Sequence, residues 1–162
     1  MATLSAVIER HDILRSRLCG DDTDRYLEIF APGAVDVDAL VSRVEYGASL
    51  DPQTRTDVAS RAFDAALGRL NPAGGVMLQF VWLDSGDSVR SGRLIVVAHH
   101  LVIDGVSWRI IVPDLIAAWS QVSAGNQPVL PAVGTSMRRW AHGLVEAAHE
   151  SSRVAELSYW QS

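Results

Sequence analysis

Apolar positions near helical spacing open the chain. Leu4, Val7, Ile8, Leu14 and Leu18 fall on one stripe that Ile13 widens, which predicts a helix over about Leu4 to Leu18. A polar turn at Gly20 to Asp24 follows, then a short strand over Tyr26 to Phe30 closed by Pro32-Gly33. Asp36 to Tyr46 reads as a short helical or loop piece and then a strand near Ser42 to Tyr46. Asp51-Pro52 supplies a helix start, with Asp as N-cap and Pro in the first helical position. Val58, Ala62, Phe63, Ala66, Leu67 and Leu70 give this helix its stripe, and Asn71 to Gly75 ends it. Two strands are predicted at Val76 to Leu83 and Arg93 to Ala98. The polar stretch Asp84 to Gly92 between them has hairpin composition, so they should be antiparallel neighbours.

The later half is mainly helical. Ser107 is placed to cap a helix running to about Val122 with Ile110, Ile111, Leu115 and Trp119 inside. Pro113 either kinks that helix or marks where its main part begins, because an interior proline removes a backbone bond. An irregular connector at Gly125 to Gly134 leads to a helix from Thr135-Ser136 carrying Met137, Trp140 and Leu144, and a last helix spans about Ser151 to Trp160. Several helices and about four strands predict a mixed α/β layered fold, with a largely antiparallel sheet packed by helices.

Composition narrows the function classes. The 162 residues suit a single domain over 1–162, and 48% apolar with 20% charged residues are globular values. All 14 basic residues are arginines, thinly spread in a chain of net charge −5, so no basic nucleic-acid footprint exists. The one local pair, Arg138-Arg139, reads as a solvated helix face. The single Cys19 allows no internal disulfide and no cysteine metal set. Early charges argue against a secretory signal, and no apolar run approaches the roughly twenty residues of a membrane span. The expectation is a soluble, cytoplasmic protein that binds neither nucleic acid nor membrane.

The chemistry concentrates in His99-His100-Leu101-Val102-Ile103-Asp104-Gly105-Val106-Ser107-Trp108, directly after the apolar run Leu94 to Ala98. Imidazole and carboxylate near a core must be hydrogen-bonded, and Asp104-Gly105 is expected to supply a sharp turn over the strand end. Adjacent strand residues point to opposite faces, which argues against a metal site of His99 and His100. His11 is expected at a surface or interface, His142 and His149 facing solvent, and Trp108, Trp119, Trp140 and Trp160 in the core or at a lobe contact.

His99 to Gly105 resembles the HHxxxDG motif of nonribosomal peptide synthetase condensation-type domains at every defined position. Upstream, Glu9 to Arg17 is similar to the family's RHDxLR helix. Downstream, Thr135-Ser136-Met137-Arg138-Arg139-Trp140 is similar to its TSFxxW segment. The run Asp104 to Ile110 (DGVSWRI) resembles the epimerization branch in particular. The resemblance implies one lobe, the N-terminal one, of a two-lobed fold like that of chloramphenicol acetyltransferase. Its second lobe, with the acidic epimerization motif, lies outside this chain.

The resemblance also implies the chemistry: inversion of the α-carbon of an aminoacyl or peptidyl thioester carried on the phosphopantetheine of a peptidyl carrier protein, with no cofactor bound directly. It makes His100 the catalytic base facing the substrate, a role histidine suits near neutral pH. His99 then hydrogen-bonds locally, and Gly105 allows close backbone approach. Asp104 orients the loop through an arginine, with Arg15 and Arg17 both open. Ser107 and Trp108, at a helix start, are the candidate oxyanion or substrate contacts. The second acid/base group is a glutamate of the other lobe, and no metal takes part. Three other readings stand beside this one. They are a condensation lobe in which His100 assists amine attack on a thioester, a stand-alone trimeric acyltransferase, and a non-catalytic piece that binds a carrier protein, the other lobe or a second copy.

Overall fold

The first helix stops well before its apolar spacing predicts. In the computed structural model, which describes residues 1–46, 51–86 and 92–162, helix α1 covers Ala2–Arg10 and buries Leu4, Val7 and Ile8. His11 is extended (φ −103°, ψ 96°), a 3₁₀ turn follows at Asp12–Arg15, and strand β1 occupies Ser16–Cys19. The two leucines that prolong the helical stripe serve other contacts. Leu14 is buried under the turn, and Leu18 lies opposite Leu27 in an antiparallel pair with β2 (Tyr26–Ile29). Strand pairing overrides local helix preference here. Arg15 secures the switch, since its buried guanidinium Nη1 donates to the carbonyls of Ile8 and Glu9 at 2.7 Å each, groups that a helix C-terminus leaves open.

A second sheet has the order β3-β4-β5, from Val41–Glu45, Leu78–Asp84 and Arg93–Ala98. A 3₁₀ turn at Asp38–Leu40 is the short helical piece before β3. β3 and β4 are parallel, while β4 and β5 form the predicted antiparallel pair. Residues 87–91 of the expected hairpin connection lie outside the described residues. Val76, expected in β4, instead bridges Asn71. A parallel pair needs a crossover, supplied by α2 (Pro52–Leu67), whose N-cap Asp51 accepts from the amides of Gln53 and Thr54 at 3.0 Å.

The two faces of this sheet carry two cores. On one, Ala62 and Ala66 of α2 meet Val81, Leu83 and Val97. Alanines let the helix approach closely, which leaves Phe63 and Leu67 on its shoulder, 42% and 50% exposed, rather than in the predicted stripe. The larger core joins Leu4, Val7 and Ile8 of α1 with Leu78, Phe80, Val102, Ile103 and Ile111.

Ile111 belongs to α3, Trp108–Ser123, which runs through Pro113 as one helix instead of starting there. Its predicted inner residues divide: Ile111 is buried and Leu115 packs on the core, but Ile110 and Trp119 are exposed. α4 (Met137–Ala148) is capped by Ser136, which accepts from the Arg139 amide at 3.1 Å. The predicted final helix is two short ones, α5 (Ser151–Ala155) and α6 (Leu157–Trp160), separated at Glu156. Of the four tryptophans expected in the core or at a lobe contact, Trp108 packs against the core, while Trp119, Trp140 and Trp160 are more than half exposed. Among the described residues no helix is long and apolar enough to cross a membrane.

Candidate active site

The histidine pair sits where β5 gives way to a turn. The His99 amide donates to the Met77 carbonyl at 2.9 Å, continuing the ladder one residue past β5. The half-buried His99 ring then bends back, its Nδ1 accepting from the Leu101 amide at 3.2 Å. His100 already belongs to the turn and is exposed. The two rings therefore do not alternate across a strand as expected. Among the described residues no group of three His, Cys, Asp or Glu side chains is placed to hold a metal ion.

Two aliphatic side chains hold the loop down. Val102 and Ile103 point into the larger core, each 7% exposed. Leu101 and Asp104 on either side stay outside. This inward pair keeps the backbone that carries His100 against α1 and the sheet.

Asp104 and Ser107 form a reciprocal capping pair. Asp104 Oδ1 accepts from the Ser107 amide at 2.8 Å and from its hydroxyl at 2.6 Å, while Ser107 Oγ accepts from the Asp104 amide at 3.1 Å. This is the capping-box pattern with serine in the place of glutamate. Ser107 is the N-cap position of α3 as expected, but its side chain makes no cap bond to the helix and closes the preceding turn with Asp104 instead. These bonds, the Ser107 hydroxyl first and its amide next, hold the Asp104 carboxyl below the ordinary carboxylate range. They also engage both polar groups of Ser107, the residue expected to contact an oxyanion or substrate.

The other expectations for the loop meet different geometry. Arg15 is committed to backbone carbonyls of α1, and Arg17 pairs with Glu28 at 2.6 Å with its guanidinium 5.5 Å from the centre of the Phe30 ring. Neither arginine reaches Asp104, and among the described residues Asp104 is in no ion pair. Gly105 does not adopt a left-handed conformation, and a Cβ there would meet nothing within 4 Å. The turn is set by the Asp104–Ser107 pair rather than by glycine. Trp108 is half-buried against the larger core.

The two flanking motifs meet each other. His11, Asp12 and Ile13 line one side of an open cleft of ≈ 330 Å³, and Val133, Thr135, Met137 and Trp140 line the other. His11, expected at a surface or interface, is instead tied inward: its Nε2 donates to Asp114 Oδ2 of α3 at 2.7 Å. His142 and His149 are exposed, as expected. Asp114 escapes a reading of the sequence because its partner stands 103 positions away. The Asp104–Ser107 pair is legible in the Asp-x-x-Ser spacing before an apolar run.

Similarity to known proteins decides the family. The family model described as Condensation domain matches residues 1–162. The chain belongs to the condensation-domain family. It is 35% identical over 153 residues to one of the linear gramicidin synthase proteins of Brevibacillus parabrevis, covering 94% of this chain and 3% of that protein. Surfactin synthase subunit 1 of Bacillus subtilis (strain 168) is 30% identical over 161 residues, covering 98% of this chain and 4% of that one.

Among solved structures, the epimerization domain from the third module of tyrocidine synthetase B superposes with TM-score 0.77 at 25% identity, covering 98% of this chain and 34% of that one. The starter condensation domain of rhizomide synthetase shares the fold, with TM-score 0.73 at 15% identity, covering 98% of this chain and 37% of that one. This condensation-domain chain therefore spans about a third of the solved chains it matches and a few per cent of the synthetase proteins.

Proposed function

We propose that the chain supplies the base-bearing lobe, the N-terminal one, of a nonribosomal peptide synthetase epimerization domain. It inverts the α-carbon of an aminoacyl or peptidyl thioester presented on the phosphopantetheine arm of a peptidyl carrier protein. The observation that carries this reading is the exposed His100, on a turn anchored by Val102 and Ile103 and followed by the epimerization-like run Asp104 to Ile110. The likeness to a solved epimerization domain supports the same branch.

In this reading the His100 imidazole takes the α-proton. The electron pair left on carbon delocalises into the thioester carbonyl as an enolate, and a group on the opposite face returns a proton to carbon. A neutral imidazole is matched to that transfer near pH 7. The proton-returning group comes from the part of such a domain that this chain does not span. His99, which accepts from the Leu101 amide, shapes the turn instead of touching substrate. Asp104 and Ser107 fix the start of α3 beneath it.

A condensation lobe is the second reading, favoured by the several condensation domains among the structural neighbours. There His100 assists an amine attacking a carrier-bound thioester. Product analysis separates the two. The domain containing this chain is given an L-aminoacyl carrier protein with and without an acceptor aminoacyl carrier protein, and the released product is resolved by chiral chromatography. D-aminoacyl product without the acceptor supports epimerization. Peptide formed only with the acceptor, with retained L configuration, overturns it.

A further inference from the structure

A polar cluster that the chemistry above does not use ties the end of α1 to the middle of α3. Asp114 Oδ2 receives the His11 Nε2–H at 2.7 Å and lies 3.1 Å from Arg10 Nε, close enough for an ion pair though not aligned for a hydrogen bond. All three side chains are largely covered, with 13–17% of each exposed. Beside this cluster the same two helices already meet through apolar contacts, because Ile8 of α1 shares the larger core with Ile111, Leu115 and Trp108 of α3.

Charged groups withdrawn from water are an expensive way to add stability, and apolar replacements often hold a helix pair as well or better. What a directional cluster supplies and an apolar contact does not is register. Its position on α3 matters for that reason. Pro113, immediately before Asp114, carries no amide hydrogen, so the carbonyl of Arg109 loses its usual helical partner. The first turn of α3, Trp108 to Val112, with the Asp104–Ser107 turn ahead of it, is thus joined to the rest of the helix with one backbone bond missing, and Asp114 is the first polar tether beyond that gap.

We infer that Arg10, His11 and Asp114 are positioning residues. They fix the register of α3, and through its first turn the Asp104–Ser107 cap and the turn that presents His100. The inference rests on the proposed role of His100 for its functional consequence, but its structural consequence can be read without turnover.

The test replaces the cluster by apolar groups. His11→Leu/Asp114→Leu is compared with the milder Asp114→Asn, which remains available if the double variant does not fold. Thermal unfolding reports stability, and ¹H–¹⁵N NMR reports the amides of 104–107 together with the His100 ring signals. The expected result is a melting temperature close to that of the parent chain, with displaced signals at Asp104, Ser107 and His100, none of which touches the cluster. Turnover in the domain containing the chain should fall about ten- to a hundred-fold in kcat with KM little changed, the size of loss that small misplacements of catalytic groups produce. Signal changes confined to α1 and residues 110–118 in the variants that fold, with the 104–107 and His100 signals unmoved, overturn the inference. If those signals move while wild type itself shows no turnover, the positioning role stands and the proposed activity fails instead.

Discussion

Truncating Ile103 tests whether the motif turn is held by the core. Its side chain is 7% exposed and lies with Val7, Ile8, Leu14, Trp108 and Ile111 around a void of only ≈ 10 Å³. Ile103→Ala removes three buried carbons, which at about 0.8 kcal/mol each accounts for roughly 2 kcal/mol. The neighbours come from α1, α3 and the sheet, and they are tied by their own backbones, so they can close little of the space. The added cavity raises the cost to about 3 kcal/mol. For a chain of this length that corresponds to a fall of roughly 6–12 °C in melting temperature. Leu101→Ala, at a neighbouring position 42% exposed, is the control and should cost under about 0.5 kcal/mol. Urea titration and calorimetry of both variants provide the measurement. Equal costs for the two would refute the claim that Val102 and Ile103 anchor the turn.

Arg15→Ala removes two 2.7 Å hydrogen bonds to the last carbonyls of α1 from a side chain only 6% exposed. It should cost about 3 kcal/mol in urea titration, and a loss under about 1 kcal/mol would show that the turn into β1 does not depend on it. Stability should also fall in acid. Asp21, Asp51, Asp84 and Asp104 are held below the ordinary carboxylate range chiefly by the Thr23 hydroxyl, the Thr54 hydroxyl, the Gly86 amide and the Ser107 hydroxyl. A carboxyl whose folded value is depressed contributes fully above its unfolded value near 4 and loses that contribution as the pH falls through the folded one. Melting temperature measured against pH should therefore decline below about pH 4, and Asp51→Asn should flatten the decline. A profile flat to pH 2 would contradict this.

Much of the fold is legible because its signals are local. Asp51-Pro52 starts α2, the two apolar runs form β4 and β5, and Ser136 caps α4, each where local chemistry places it. The departures arise where contacts distant in sequence decide. Leu14 and Leu18 satisfy a helical period as well as they satisfy a buried turn and a strand. Only the pairing of Leu18 with Leu27 and the grip of Arg15 on α1 choose between them. Phe63 lies on an apolar stripe, yet the close approach of Ala62 and Ala66 to the sheet turns it outward.

The candidate site divides along the same line. The motif and its two flanking segments are visible as strings of residues, and the capping pair as a spacing. The partner of Asp104 is not Arg15 or Arg17, because Arg15 is occupied by α1 and Arg17 by Glu28 of β2, contacts that no local pattern announces. The apolar run ends β5 at Ala98 as predicted, but the local pattern does not announce that His99 continues the ladder to Met77 while His100 turns outward.

The central claim is that His100 removes an α-proton from a carrier-bound thioester. Incubation of the domain containing this chain with an aminoacyl carrier protein in D₂O, followed by mass spectrometry of the released amino acid, tests it directly. Deuterium uptake at the α-carbon that disappears in a folded His100→Ala variant is the predicted result. Uptake that persists in that variant, or its absence in wild type while a peptide product forms, would contradict it.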